Sequence, residues 1–166
     1  MNDAHLHLLF NHLPIIFPIT GLIIMIGGFI FKSEIIKRVA LSIFVMGALA
    51  TMPAFFTGEG AEEIVENMAG IDEKFIHNHE EIAETFAILS YLLGGLSIVA
   101  LWASIKEKAF SSLVTYAVVA FSLVVIFFAQ QTGTTGGEIH HIEIRKGAAL
   151  PAGNGEAGGE SEEHED

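Results

Sequence analysis

Four long apolar stretches without any Asp, Glu, Lys or Arg dominate the chain, and they cover residues 4–31, 39–58, 85–105 and 109–137. A helix needs about 20 apolar residues, at about 1.5 Å rise each, to cross a hydrocarbon core about 30 Å thick. The pattern therefore predicts an all-α membrane protein with four transmembrane helices near residues 12–31, 38–57, 80–105 and 109–131. Because the linkers after the first and third spans are short, we expect an antiparallel up-down four-helix bundle.

This pattern also predicts how the chain is divided. Residues 1–146 are expected to form one four-helix transmembrane domain. Residues 147–166 are rich in Gly, Ala and Glu and carry few large apolar groups. They cannot bury enough apolar surface to become ordered, so we expect a disordered acidic tail. Within the spans, small residues are predicted to let helices approach closely. These are Gly27, Gly28, Gly47, Gly94 and Gly95.

Composition supports the membrane class and excludes several others. Of the 166 residues, 51% are hydrophobic and 17% are charged, whereas a soluble domain carries about 25% charged residues. The net charge of −12 argues against a surface for nucleic acid phosphates. The absence of cysteine excludes disulfides, thiolate-held iron–sulfur or zinc sites and CxxCH haem. No hydrolase or nucleotide-binding motif is present, and whether the protein is an enzyme stays open.

The basic residues near the span ends predict the orientation. Lys32, Lys37 and Arg38 lie in or beside the first linker, and Lys106 and Lys108 lie in the third. Since such residues are retained on the cytoplasmic side, both termini are expected to be periplasmic. The start of the chain lacks the basic region of a signal peptide. We therefore expect a multi-pass protein of a bacterial inner membrane that keeps its first apolar segment.

Histidines concentrate at the opposite, outer ends of the spans. Seven of the eight lie at the span ends that carry no basic linker, namely His5, His7, His12, His77, His79, His140 and His141. An antiparallel bundle brings these ends to one rim, together with glutamates such as Glu59 and Glu138. Imidazole and carboxylate suit iron, copper or zinc, and a pair of facing imidazoles is a usual way to hold haem b.

The candidate ligands differ in their placement. His12 lies at membrane depth with Asn11 beside it, and His79 continues an apolar face at helical spacing. They are our first choices as ligands, with His141 or His7 as substitutes. His77 aligns instead with glutamates on its helix and is expected to be solvated.

Neighbouring residues are predicted to complete this rim. Glu80 is expected to support His79, and Glu138 to support His141. Glycines near the end of the fourth span, Gly133, Gly136 and Gly137, are expected to form a turn that folds the last histidines over the bundle.

Four segments resemble an uncharacterised family of four-helix bacterial inner-membrane proteins, some of which are fused to periplasmic cytochrome c domains. The segments are HLHLLFNHLPII, FFTGEGAEEIVE, HEEIAE and TGTTGGEIHHIEI, between about residues 5 and 145. The resemblance implies a redox setting and points to His7, His12, Glu59, His79 and His141. His140 stands where relatives more commonly carry Arg. The bundle is also similar in outline to di-haem cytochromes b, but it lacks histidines in the inner half of its spans.

Three functions remain open on these grounds. The first is electron transfer through one outer-face haem b or metal site, with a periplasmic cytochrome or quinol as partner. The second is an accessory subunit of a larger respiratory or transport membrane complex. The third is zinc or copper handling by the same ligands.

Overall fold

The computed structural model describes residues 1–68 and 71–145, which form five α-helices and one short 3₁₀ helix without a strand. The α-helices are α1 (Asp3–Phe10), α2 (Leu13–Ile30), α3 (Glu34–Val65), α4 (Glu73–Ile105) and α5 (Ser111–His140), and the 3₁₀ helix is Ile142–Ile144. Four helical segments are long and apolar enough to span a membrane: Asp3–Ile30, Glu34–Val65, Glu73–Ile105 and Ser111–His140. The first joins α1 to α2 across a short break. The predicted tail, residues 147–166, lies outside the described residues.

The four long helices form a ring in which each packs against its neighbours in the chain, and α5 closes the ring against α2. The direction of the helices follows from contacts at both ends. Arg38, near the start of α3, binds Ser104 at the end of α4. His79, near the start of α4, contacts Thr135 near the end of α5. These pairs run antiparallel, as the sequence predicts.

The core is a narrow column of apolar side chains with small residues where helices cross. Met25, Phe44, Leu93 and Val125 are almost completely buried. A Cβ added to Gly94 would overlap that of Ala48, whereas one added to Gly95 would meet nothing. Only the first of these two glycines therefore serves the close approach of α3 and α4, and the prediction for Gly95 is wrong. The same holds for Gly27, which faces open space.

At the ends away from the basic linkers, the helices continue beyond the apolar stretches of the sequence. The Gly-rich segment before residue 140 is part of α5, so the predicted turn is wrong. The hydroxyls of Thr132, Thr134 and Thr135 donate to carbonyl oxygens four residues earlier at 2.9, 3.0 and 3.1 Å. Packing against other helices holds this segment helical despite the low helix propensity of glycine.

Two ends of the bundle are named here. The lysine end is formed by the linkers 31–33 and 106–110 and the helix ends beside them. There, Arg38 donates to Ser104 Oγ at 2.9 Å and to its carbonyl oxygen at 2.7 Å, so that α3 caps the C-terminus of α4. The histidine end is the opposite one, formed by α1, the last turns of α3 and α5 and the first turns of α4.

Candidate functional site

His7 lies at the contact between α1 and α3. Its half-buried ring places Nδ1 2.9 Å from the carbonyl oxygen of Ala54. Gly60 on α3 makes room for α1, since a Cβ there would overlap Asp3, whereas a Cβ on Gly58 would meet His7 Cε1 at an ordinary contact distance of 3.7 Å. A carbonyl oxygen only accepts hydrogen bonds, so Nδ1 carries the proton. The other ring nitrogen, Nε2, therefore keeps its lone pair in the neutral imidazole.

His79 contacts α5 through the corresponding ring nitrogen. Its Nδ1 lies 3.1 Å from Thr135 Oγ1. That hydroxyl donates its only proton to a backbone carbonyl of its own helix, either Gln131 at 3.1 Å or Thr132 at 3.2 Å. A hydroxyl bonded in this way accepts from Nδ1–H of the histidine, and in that arrangement Nε2 keeps its lone pair.

Gly136 lets the His79 ring lie against the α5 backbone. A Cβ at this position would be 3.0 Å from His79 Cε1 and 3.4 Å from Nδ1, which is tighter than an ordinary contact. The ring therefore occupies space that only glycine leaves free without displacement of its neighbours.

Both rings lie at the histidine end, His7 against α3 and His79 against α5. One helical turn after His7, Asn11 donates its backbone amide to the His7 carbonyl at 2.8 Å. Its side-chain oxygen is buried and has no hydrogen-bond partner within the described ranges. An acceptor buried without a donor is costly. This position suits a water molecule or a polar group of a ligand.

The other predicted ligands lie in exposed positions. His12 is the residue before α2 and makes no side-chain capping bond. Glu59 is exposed on α3. Exposed His141 bonds through Nδ1 to Glu143 Oε1 at 2.8 Å. Within residues 1–68 and 71–145, no group of three or more His, Asp or Glu side chains lies close enough to hold a metal ion.

Two predicted supporting carboxylates have other roles. His141 is bonded to Glu143 rather than to Glu138. Hydrogen bonds from its own backbone amide and from this imidazole hold the pKa of Glu143 below its ordinary value. Glu80 pairs with exposed His77 at 3.6 Å, as expected for a solvated histidine. The prediction that Glu80 supports His79 is therefore wrong.

His7 and His79 are called the central pair here. Sequence reasoning missed both groups that orient these two rings. One is a backbone carbonyl, that of Ala54, which no residue type marks. The other is the hydroxyl of Thr135, which lies in a segment predicted to be a turn. Helical spacing places Thr135 and Thr132 on one buried face of α5. That spacing was the signal in the sequence that Thr135 faces another helix.

No family model, curated protein or solved structure matches this chain. The contacts of His7 and His79 are therefore the basis for assigning a role to the candidate site.

The two imidazoles of His7 and His79 are a donor set that suits a group which takes two ligands from the protein. A hydrogen bond from Nδ1–H fixes the ring and makes Nε2 a better electron donor. Haem iron takes four ligands from its macrocycle and leaves two axial positions. Zinc sites usually take three or four ligands from the protein, and the described residues bring no such set together.

Proposed function

We propose that this chain is a redox protein of the membrane in which His7 and His79 hold a haem b at the histidine end. The observation that carries the proposal is that each ring places Nδ1 within hydrogen-bond distance of an oxygen on a neighbouring helix. With Nδ1–H as the donor in both bonds, each ring keeps a lone pair on Nε2. Two such nitrogens from different helices are a usual means of holding haem in a helical bundle.

The distribution of basic residues supports a periplasmic position for this site. The lysine end holds five of the eight basic residues, which favours its retention in the cytoplasm of a bacterium. The histidine end would then face the periplasm, together with both termini. At this depth, a periplasmic cytochrome or a quinol at the membrane interface is the natural partner for electron exchange.

Each residue of the site has a defined part in the proposal. When bound, haem b supplies a one-electron couple. His7 and His79 would hold the group through their Nε2 atoms, and the Ala54 carbonyl and Thr135 hydroxyl fix the ring orientations. Gly136 keeps space beside the second ring. The lack of a third clustered ligand among the described residues favours haem over zinc or copper, the alternative use of these donors.

Absorption spectroscopy on the mildly solubilised full chain, with haem and metal quantification, tests the proposal. We expect a haem absorption band that is lost in His7→Ala and in His79→Ala. The matched control is His77→Ala, because His77 lies on the same helix two residues away but is exposed. We expect this control to keep the band. His12→Ala is also expected to keep it, since that side chain lies outside the central pair.

Three results would contradict the proposal. Protein without haem and without metal after expression with haem supply would leave only the accessory-subunit function. Stoichiometric zinc or copper without haem would favour metal handling. A haem band that depends on His12 and survives His7→Ala would show that the wrong pair has been chosen.

A further inference from the structure

A separate cleft opens at the lysine end, which is the end of the bundle opposite to the histidine end. Its volume is about 250 Å³, and it lies between α2, α3 and α5. Its lining includes two lysines, one glutamate, two serines and one threonine, namely Lys32, Lys37, Glu34, Ser111, Ser112 and Thr115. Since a water molecule takes about 30 Å³ in the liquid, the cleft has room for a group larger than a single water.

Lys37 is the central cation of this cleft. Only 18% of its side chain is exposed, yet its one carboxylate partner, Glu34, is 60% exposed. Its ammonium lies 5.3 Å from the centre of the Phe29 ring. An ammonium has three donors, and the structure gives it one carboxylate oxygen. A largely buried cation of this kind gains from a further acceptor.

The packing of α2 keeps Lys37 in the cleft. A Cβ on Gly28 would lie 2.6 Å from Lys37 Cγ and 3.0 Å from its backbone nitrogen. Any larger residue at this position would displace the lysine stem. The aromatic wall of the cleft is equally fixed, because Phe29 stacks on Tyr116 with ring centres 5.4 Å apart.

The serine hydroxyls of the cleft add donors, whereas the Thr115 hydroxyl already donates to the Ser111 carbonyl oxygen at 2.9 Å. Ser111 and Ser112 begin α5, whose preceding residue, Phe110, provides no side-chain cap. The Ser111 amide donates to the Lys108 carbonyl oxygen at 2.9 Å, whereas the next amides of this helix have no side-chain cap. Ser112 lines the cleft together with the lysines. The surrounding charge is also positive, since the two basic linkers and the helix starts beside them, residues 31–38 and 106–110, hold five basic and two acidic residues.

We propose that this cleft binds the phosphate of a net-anionic lipid headgroup. Ammonium groups, hydroxyls and helix amides together form a donor set suited to phosphate. The cleft lies at the end of helices that are long and apolar enough to span a membrane, and so at headgroup depth. It also lies between α2 and α5, which no loop connects. Basic pockets between helices at this side of a membrane are known to suit anionic headgroups.

Lipid binding to the full chain in detergent tests the proposal, measured by native mass spectrometry and by thermal melting. The probes are phosphatidylglycerol, zwitterionic phosphatidylcholine and inorganic phosphate. We expect phosphatidylglycerol to bind preferentially. A lysine near a membrane surface contributes an amount that corresponds to about fivefold in affinity, so Lys32→Ala with Lys37→Ala should weaken binding about 30-fold. Lys106→Ala, at the same end but outside the cleft, is the matched control and should change binding by about fivefold at most.

A second variant keeps the test valid if the double lysine variant does not fold. Ser112→Glu places a negative charge in the first turn of α5, where it favours the helix but repels an anion in the cleft. We expect normal thermal melting and loss of phosphatidylglycerol preference.

Equal binding of the anionic and zwitterionic lipids, or unchanged binding in both cleft variants, would overturn the proposal. Inorganic phosphate that competes at the same concentration as the lipid would assign the cleft to free phosphate instead. None of these outcomes depends on the histidines at the other end.

Discussion

The neighbouring glycines on α4 allow the helix packing to be tested by one matched pair of substitutions. A Cβ on Gly94 would come closer than 3.0 Å to Ala48 Cβ, whereas Gly95 has nothing within 4 Å of the same position. The two residues share a helix and a depth in the bundle. They differ only in the face of the helix on which they lie.

The expected free energies follow from two terms. Replacing glycine by alanine inside a helix stabilises it by up to about 1 kcal/mol, and this term is the same at both positions. Inserting a methyl group into a closely packed contact costs about 1–3 kcal/mol, and this term applies only at Gly94. We therefore expect Gly95→Ala to be as stable as the natural protein or slightly more stable. Gly94→Ala should be about 1–3 kcal/mol less stable than Gly95→Ala.

Unfolding of the full chain in mixed detergent micelles measures this difference. The double variant Gly94→Ala with Ala48→Gly restores the space, and its two propensity terms cancel. It should return to within about 1 kcal/mol of the natural protein. Equal stability of the two single alanine variants would refute the close contact of α3 and α4, and so would a failure of Ala48→Gly to rescue the clash.

Three further predictions concern the two ends of the bundle. Gly136→Ala should change stability by less than about 1 kcal/mol, because helix propensity offsets the displaced imidazole, but it should lower cofactor content in the purified protein. Arg38→Ala should lower the free energy of unfolding by about 1.5–3 kcal/mol, because a charged donor to Ser104 is lost, and Arg38→Lys should recover part of it in the same melting assay. The carboxyl pKa of Glu143 lies below its ordinary value. The ionised Glu143 carboxylate therefore contributes to local stability at pH values above the ordinary carboxyl pKa, and this contribution is lost as the pH falls through the lowered pKa. NMR titration should show this, and His141→Ala should raise the midpoint; an unchanged midpoint would contradict the assigned cause.

The architecture was predictable from the sequence because lipid leaves few alternatives. Backbone groups inside a bilayer must be hydrogen-bonded within the chain, so long uncharged stretches predict helices directly. The short linkers then determine the antiparallel order. Residues outside the apolar stretches are not subject to this requirement for internal backbone hydrogen bonds, so their structure is harder to predict. The first turns of α4, from Glu73 onward, are rich in charge and still helical, because the helix has already been nucleated and Asp72 caps its start.

The candidate site was predictable only in part. Helical spacing placed His79 on an inward face, and the structure confirms this. His12 was expected to be the ligand from the first span because of its depth in the membrane. The break between α1 and α2 instead leaves its side chain exposed. His7 is favoured instead because Gly60 lets α1 pack against α3, which half-buries the His7 ring. Such a contact between distant segments has no local sequence pattern.

The central claim is that His7 and His79 both present an unprotonated Nε2. Nitrogen-15 NMR of the full chain, labelled at histidine and stripped of cofactor, measures this directly. His7→Ala and His79→Ala assign the resonances, and exposed His77 serves as the reference. We predict that in both neutral rings Nδ1 carries the proton and Nε2 does not. A proton on Nε2 of either ring would contradict the proposed ligand pair.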